Sequence, residues 1–288
     1  MGPHTTRREF VAAAAAAAIL APRADAATPR IRVGICDWSS GASGPDALDA
    51  AKAMGLDGVQ ISPRIDGDRL SYAEPGVQAA YRAKAKETGV AIASLGLTVT
   101  NEFPLATDPR ADSWLEQSID AAHDLGCRAI LLAFFGNGDL TSGKERKQRE
   151  IDLVVGRLKN AAPRARRKRV VLGIESYLSA PELLRIFDRV GSDAVGVYYD
   201  IANTTTRGYD VPAEIRLLKG RICEFHFKDY EGPLGTQVAL PAIGRAIRDI
   251  RYQGWIILEQ HHGSDLQGYF RRNAEIVRRL FGLKEKGA

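Results

Sequence analysis

Cysteine is scarce in this chain of 288 residues, and its spacing excludes a paired metal-binding or redox motif. The three cysteines are Cys36, Cys127 and Cys223, and no two of them form a CxxC pair. Two lie inside apolar runs and Cys127 directly precedes one. All three are therefore predicted to be small buried apolar side chains, and no disulfide is predicted.

Aromatic residues are missing from the most basic stretch of the chain. The formal net charge is +5 at pH 7, and the densest basic run spans residues 164–169, at the predicted end of a helix. Nucleic-acid interfaces commonly interleave aromatic with basic residues. Lys and Arg at a helix C-terminus have a simpler explanation, because they complement the helix dipole. The run is predicted to be a solvated helix end, and no nucleic-acid partner is expected.

No apolar run is long enough to span a bilayer comfortably. The alanine-rich run that ends near Ala21 is short for that purpose. It follows a pair of arginines, Arg7 and Arg8, and precedes Ala-Asp-Ala at positions 24–26. This is the layout of a secretory signal, and the paired arginines resemble a twin-arginine export signal. Residues 1–26 are predicted to be such a signal, with a plain Sec signal or an uncleaved anchor as alternatives. The protein is expected to be periplasmic or extracellular, without stable membrane insertion.

The remaining residues, 27–288, alternate short apolar runs with helical patterns and show no change of composition that would mark a second domain. Runs of about five branched apolar residues suit buried strands and are too short for buried helices. Strands are predicted at residues 31–36, 58–61, 90–95, 128–133, 170–174, 195–199, 222–225 and 255–258, and helices near residues 45–54, 75–88, 110–125, 144–165, 181–190, 211–218, 240–249 and 266–280.

Eight strand–helix units of this length predict an α/β fold with a single (β/α)8 TIM barrel, which typically takes about 250 residues. An open doubly wound sheet is the runner-up. Such a sheet carries a glycine-rich phosphate-binding turn after its first strand. The sequence has Cys-Asp-Trp-Ser at positions 36–39 instead.

The last four predicted strands each lead into a residue that can bind a metal ion. These residues are Glu175, Asp200, His226 and Glu259. Because the carboxyl ends of parallel strands share one edge of a closed barrel, the four side chains are expected to converge there. Taken singly, each has a simpler explanation as a helix cap, an ion-pair partner or a structural histidine. Together, three carboxylates and one imidazole predict a site for one divalent ion. Mn²⁺, Mg²⁺ or Co²⁺ fits this oxygen-rich set, with Zn²⁺ as an alternative.

Four motifs around these residues resemble the xylose isomerase-like superfamily of sugar phosphate isomerases and epimerases. They read GIE at 173–175, YDIAN at 199–203, FHFKD at 225–229 and YQGWIILE at 252–259. The resemblance covers about residues 32–280. In the ketose 3-epimerase branch, the residues that match the predicted ligand set hold one divalent metal, Mn²⁺ being the ion expected here. The two glutamates there also act as acid and base.

The resemblance implies a small sugar or sugar derivative as substrate, with Glu175 and Glu259 as the proton-transfer pair. A proton is removed from a carbon next to a carbonyl, and the divalent ion stabilises the resulting enediolate as a Lewis acid. One carboxylate takes the proton and the other returns one. Epimerisation results, or isomerisation if the proton returns to the neighbouring carbon.

Further residues at strand exits are candidates for substrate contacts. Asn203 is predicted to bind a sugar hydroxyl or to cap a turn, and Lys228 to steady an anionic oxygen or to pair with Asp229. Aromatic residues at strand exits are predicted either to line the sugar site or to pack in the core: Trp38, Phe103, Phe134 and Phe135. Gln60 and Glu102 are weaker candidates. His261 and His262 are expected to be loop residues.

Two departures from the epimerase pattern weaken a specific assignment to ketose 3-epimerases. Gly232 stands where an arginine is usual, and residues 235–241 replace a Gly-x-Val-Asp-Phe motif. A lyase that β-eliminates 3-keto-glycosides with the same metal and base is an alternative, because it shares proton abstraction next to a carbonyl. A non-catalytic sugar-binding barrel is another. Zinc endonucleases of the superfamily need more histidines than the strand ends supply. The sequence is compatible with a homo-oligomer as well as with a monomer.

Overall fold

The computed structural model describes residues 31–260 and 262–284. The export signal predicted for residues 1–26 and His261 lie outside the described residues.

Eight parallel strands close into a barrel, which confirms the predicted fold. They are β1 (Ile31–Cys36), β2 (Gly58–Ile61), β3 (Ala91–Leu97), β4 (Ala129–Ala133), β5 (Val171–Glu175), β6 (Val195–Asp200), β7 (Ile222–Phe227) and β8 (Gly254–Leu258). Each strand pairs with its neighbours in sequence, and β1 pairs with β8 to complete the ring. The strands are nearly continuous apolar runs, as expected where both faces of a parallel sheet are covered.

Helices follow the strands and cover the outside of the barrel. They are α1 (Asp46–Ala53), α2 (Pro75–Thr88), α3 (Ala111–Leu125), α4 (Gln148–Lys168), α5 (Ala180–Val190), α6 (Ile201–Thr206), α7 (Val211–Leu218), α8 (Leu240–Asp249) and α9 (Leu266–Phe281). All eight predicted helices are present. The short helix α6 is additional, and it begins directly at the end of β6.

Local signals explain where several helices begin and end. Helix α2 has a proline in its first turn and ends at Gly89, whose φ of 74° is the left-handed conformation that glycine adopts readily. Helix α5 starts with a capping box between Ser179 and Glu182. Helix α4 starts later than predicted because Thr141–Ser142 and Glu145–Arg146 pair as a small hairpin.

The loops after the strands build the carboxyl edge of the barrel, where the predicted site lies. A short 3-10 turn, Asp37–Ser39, follows β1, and a second small hairpin of Ile65–Asp66 with Arg69–Leu70 follows β2. Cys36 and Cys127 are buried and Cys223 is half-buried, and all three are free thiols. Within the two described ranges, no helix combines the length and apolar character needed to cross a membrane.

Candidate metal centre

The four predicted ligands converge at the carboxyl edge of the barrel. Glu175 is the last residue of β5, Asp200 the last of β6, His226 lies near the end of β7, and Glu259 directly follows β8. One ligand atom from each lies within 4.8 Å of the others. Two atoms on opposite sides of a bound ion are about 4–5 Å apart, since metal–ligand distances are about 2.0–2.6 Å. The cluster therefore has the dimensions of a site for one ion.

Asp200 presents one oxygen to the backbone and the other to the cluster. Its Oδ1 accepts hydrogen bonds from the backbone N–H groups of Ala202 and Asn203, both at 2.8 Å, and so caps α6. Its Oδ2 is buried and accepts no hydrogen bond of acceptable geometry, although Lys228 Nζ lies 2.8 Å away as an ion-pair partner. A carboxylate that is fixed through one oxygen and keeps its other oxygen free of hydrogen bonds is suited to bind a metal ion.

Gln60 on β2 orients the imidazole of His226. Its Oε1 lies 2.8 Å from His226 Nε2 and also accepts from Cys36 Sγ at 3.4 Å. Because an amide oxygen can only accept, this contact is a hydrogen bond when Nε2 carries the proton. The other ring nitrogen, Nδ1, points to Glu175 Oε1 at 2.9 Å and faces the cluster. Such a partner behind a histidine ligand is typical of metal sites.

Lys228 is the cation of the cluster. Its side chain donates to Glu259 Oε2 at 2.6 Å, and the residue is 8% exposed. When Glu175 is ionised and His226 is neutral, three carboxylates against one ammonium leave two negative charges in this buried site. Buried charge without compensation is costly. One divalent cation would balance it, so the residues present fit such an ion in number, chemistry and charge.

The carboxylates at the two ends of the cluster have opposite protonation behaviour. Burial raises the pKa of Glu175 to about 7, although His226 lowers it in part. Burial acts the same way on Glu259, but Lys228 and His226 outweigh it and lower the pKa to about 2. Burial lowers the pKa of His226, yet Glu175 and Glu259 bring it above its ordinary value. The ion-free cluster therefore holds protons that a cation must displace.

Affinity for Mn²⁺ is expected to fall as the pH decreases through 7. Above that pH Glu175 is ionised and ready to bind, whereas below it a proton competes with the ion. The loss is expected to be about tenfold per pH unit for each proton displaced. Calorimetric titration with Mn²⁺ between pH 6 and 8, in buffers that do not bind metal, measures this slope. An affinity that stays constant over this range would contradict the protonation behaviour described above.

A cavity of about 320 Å³, called the inner cavity below, opens beside the cluster and is lined by two of its members, Glu175 and Glu259. Five of the predicted site residues line it besides Glu175: Trp38, Phe135, Asn203, Lys228 and Glu259. Trp38 is held in place by its Nε1, which donates to Glu259 Oε1 at 3.0 Å. Gly96 on β3 makes room for the indole, because a Cβ there would lie 3.3 Å from the ring.

Asn203 lies at the wall of the inner cavity and is not itself the cap of α6, a role that Asp200 fills. Its backbone N–H donates to Asp200 within the cap of α6, and the residue also lines the inner cavity. Its side-chain Oδ1 accepts a short hydrogen bond from the hydroxyl of Tyr230. The amide group is thereby fixed in orientation at the cavity wall.

The structure does not bring every candidate to the site. Phe103 is outside the lining of the inner cavity and packs edge-on against Trp114, with the Arg110 guanidinium 4.6 Å from its ring centre. Phe134 is buried in the core. Glu102 is exposed on the loop after β3. His262 is held by the backbone oxygen of Asp229 at 2.8 Å and is not part of the cluster.

Sequence reasoning missed two tyrosines of the cavity wall. Tyr177 and Tyr230 both line the inner cavity. Each lies two residues beyond a predicted site residue, Glu175 and Lys228 respectively. The other site residues were identified by their position just after a strand end. The same signal applies to both tyrosines. The contact of Gln60 with His226 is not visible in the sequence, because it depends on neighbours across the barrel.

Comparison with known proteins agrees with this geometry. Residues 48–280 match the family described as xylose isomerase-like TIM barrel. An Escherichia coli (strain K12) protein, provisionally named L-ribulose-5-phosphate 3-epimerase, is 27% identical over 242 residues, covering 75% of this chain and 83% of that protein.

Two solved structures share the fold. A D-psicose 3-epimerase determined in the presence of D-fructose superposes with a TM-score of 0.71 at 17% identity, covering 87% of this chain and 99% of that one. The apo form of 3-keto-D-glucoside 4-epimerase from E. coli gives 0.71 at 15% identity, covering 86% and 99%. The relatives named here are sugar epimerases, and the match over residues 48–280 shows that this chain belongs to the xylose isomerase-like TIM barrel family.

Proposed function

We propose that the protein is a divalent-metal-dependent sugar epimerase or isomerase that transfers a proton next to a carbonyl group. The observation that carries the proposal is the convergence of four ligand atoms within 4.8 Å, two of which belong to residues that line the inner cavity, Glu175 and Glu259. The names of its relatives support a sugar substrate. Mn²⁺ is the proposed ion, with Mg²⁺, Co²⁺ or Zn²⁺ as alternatives.

Glu175, Asp200, His226 and Glu259 would hold the ion. When bound, it supplies a Lewis acid that stabilises negative charge developing on the oxygens of the sugar. Asp200 and His226 act only as ligands in this proposal. Each is fixed from behind, by the N-terminus of α6 and by Gln60 respectively.

Glu259 and Glu175 would act as base and acid. They come from β8 and β5, which are separated in the barrel by β7 and β6, so they reach the cavity from different sides. Glu259 keeps both oxygens hydrogen-bonded, by Trp38 and Lys228, which favours its ionised form. Glu175, with the higher pKa, is suited to hold and return a proton. Enzymes that use an acid and a base commonly hold two carboxyl groups whose surroundings give them different pKa values.

The walls of the cavity would orient the sugar and limit water. Trp38 and Phe135 offer flat apolar faces, and the Lys228 ammonium is placed to bind a sugar oxygen that gains negative charge. The fixed amide of Asn203 would bind a sugar hydroxyl. We also propose, on the signal predicted for residues 1–26, that the protein acts in the periplasm or outside the cell.

Exchange of a sugar proton with solvent tests this function. Protein loaded with Mn²⁺ is incubated in D₂O with D-fructose, D-psicose and a 3-keto-D-glucoside, and deuterium at the carbon next to the carbonyl is followed by NMR. We expect incorporation that stops when the ion is removed with a chelator and returns when Mn²⁺ is restored. Release of the aglycone would instead identify the β-eliminating lyase. Binding of these sugars without exchange in the loaded protein would identify a non-catalytic barrel.

A further inference from the structure

We propose that the substrate is a sugar ketone that carries an uncharged glycosidic substituent, and that this substituent occupies a second cavity beside the first. The proposal rests on the proposed function for the placement of the carbonyl-bearing ring. It goes further by assigning a binding site to a part of the protein outside the metal cluster.

The second cavity, called the outer cavity, lies between the loop after β1 and helix α2. Its volume is about 350 Å³, similar to that of the inner cavity. Trp38 and Ser62 belong to the walls of both cavities. Trp38 is 41% exposed. In the proposed complex, a ligand over the cluster extends past the indole into the outer cavity.

Both shared wall residues are held in fixed positions. Trp38 donates to Glu259, as described above. Ser62 donates to the carboxylate of Asp37 twice, from its backbone N–H at 2.8 Å and from its hydroxyl at 2.7 Å. The boundary between the two cavities is therefore fixed by hydrogen bonds, one to Glu259 of the cluster and two to Asp37 in the loop after β1. A ligand that spans it would meet a preformed surface, which lowers the entropic cost of binding.

The lining of the outer cavity suits an uncharged group. Much of it is apolar, with Pro45, Pro63, Val77 and Ala80 among its members. Its charged lining residues are Asp37 and Arg64, one of each sign. A sugar ring or an aromatic aglycone can pack on such a surface and bond to its few polar groups.

A phosphate group would be poorly accommodated in either cavity. The outer cavity borders the N-termini of α1 and α2, which can bind anions. Acidic side chains already lie at both, Asp46 in the first turn of α1 and Glu74 at the cap of α2. In the inner cavity, the lining cation is Lys228, which is paired with Glu259 and Asp200. We therefore expect a different preference from the relative named for a sugar phosphate.

Two tryptophan substitutions on α2 provide a matched test. Ala80 is exposed and lines the outer cavity, so Ala80→Trp would fill it, whereas the exposed neighbour Ala79 does not line it. Affinities of the Mn²⁺-loaded wild type, Ala80→Trp and Ala79→Trp are measured by calorimetry. The ligands are D-fructose, D-fructose 6-phosphate and 4-nitrophenyl 3-keto-β-D-glucopyranoside.

Wild type is expected to bind the glycoside at least about tenfold more tightly than D-fructose, since burial of roughly 60 Å² of apolar surface suffices for that factor. Ala80→Trp should remove this advantage without changing the affinity for D-fructose, and Ala79→Trp should behave as wild type. The proposal is overturned if wild type shows no preference for the glycoside, or if Ala80→Trp weakens both ligands equally or neither.

Tighter binding of the phosphate ester than of the glycoside would also overturn it. Failure of this proposal can be distinguished from failure of the proposed function, because ligand binding and proton exchange are measured separately. If Ala80→Trp weakens the glycoside selectively while deuterium exchange is absent, the outer site stands and the proposed enzymatic function falls.

Discussion

Replacing Glu259 by glutamine is expected to lower the rate of proton exchange by a factor of about 10²–10⁴, the usual contribution of a positioned acid or base. The amide keeps the shape of the side chain but cannot take a proton from carbon. Glu175→Gln is expected to cause a similar loss, since the amide cannot return a proton. Rates are measured at saturating Mn²⁺, so that weaker metal binding does not contribute to the loss. The readout is deuterium incorporation into the sugar that wild type exchanges.

The same substitution at an exposed position controls for general effects of removing a carboxylate. Glu102→Gln lies on the loop after β3, outside the inner cavity, and should leave the rate unchanged. Wild-type rates in both Glu175→Gln and Glu259→Gln at saturating metal would be incompatible with the assigned acid and base.

Asp200→Asn is expected to weaken Mn²⁺ binding by more than the loss of a residue that only hydrogen-bonds to a metal ligand. Such a loss typically lowers the affinity by about 10–100-fold. Asparagine is also a good helix cap, so α6 should keep its N-terminus. What is lost is the negative charge of the oxygen that accepts no hydrogen bond in the structure. The comparison variant is Gln60→Leu, which leaves all four ligands in place but frees the His226 ring. Its loss of affinity should stay within that 10–100-fold range.

Calorimetric titration and thermal unfolding report this difference independently. Mn²⁺ should raise the melting temperature of wild type, because a ligand that binds only the folded state stabilises it. The rise should be much smaller for Asp200→Asn. Without metal, the variant should be no less stable than wild type, since one of several close negative charges has been removed. Equal Mn²⁺ affinity in Asp200→Asn and wild type would count against the assigned ligand role.

The sequence predicted the barrel and the convergence of its strand ends because both follow from short-range patterns. Each strand is a short apolar run between turn residues, and a closed parallel barrel allows only one arrangement of the carboxyl ends. The positions of Asp200 and Glu259 relative to β6 and β8 follow directly. His226 lies one residue inside β7 instead of after it, which still leaves it level with Asp200 in the strand pairing.

What the sequence did not predict depends on contacts between distant segments. Phe103 follows the 3-10 turn Thr98–Asn101, so its direction is set by packing on Trp114 and not by the strand before it. Gln60 and His226 are far apart in the chain and meet only because the barrel closes. The outer cavity likewise exists between a loop and a helix that share no sequence pattern.

Anomalous diffraction from crystals of the protein loaded with Mn²⁺ tests the metal site most directly. We expect one strong peak per chain, within bonding distance of side-chain atoms of Glu175, Asp200, His226 and Glu259. No peak at this position, or one held by other residues, would contradict the metal centre and the proton transfer that depends on it.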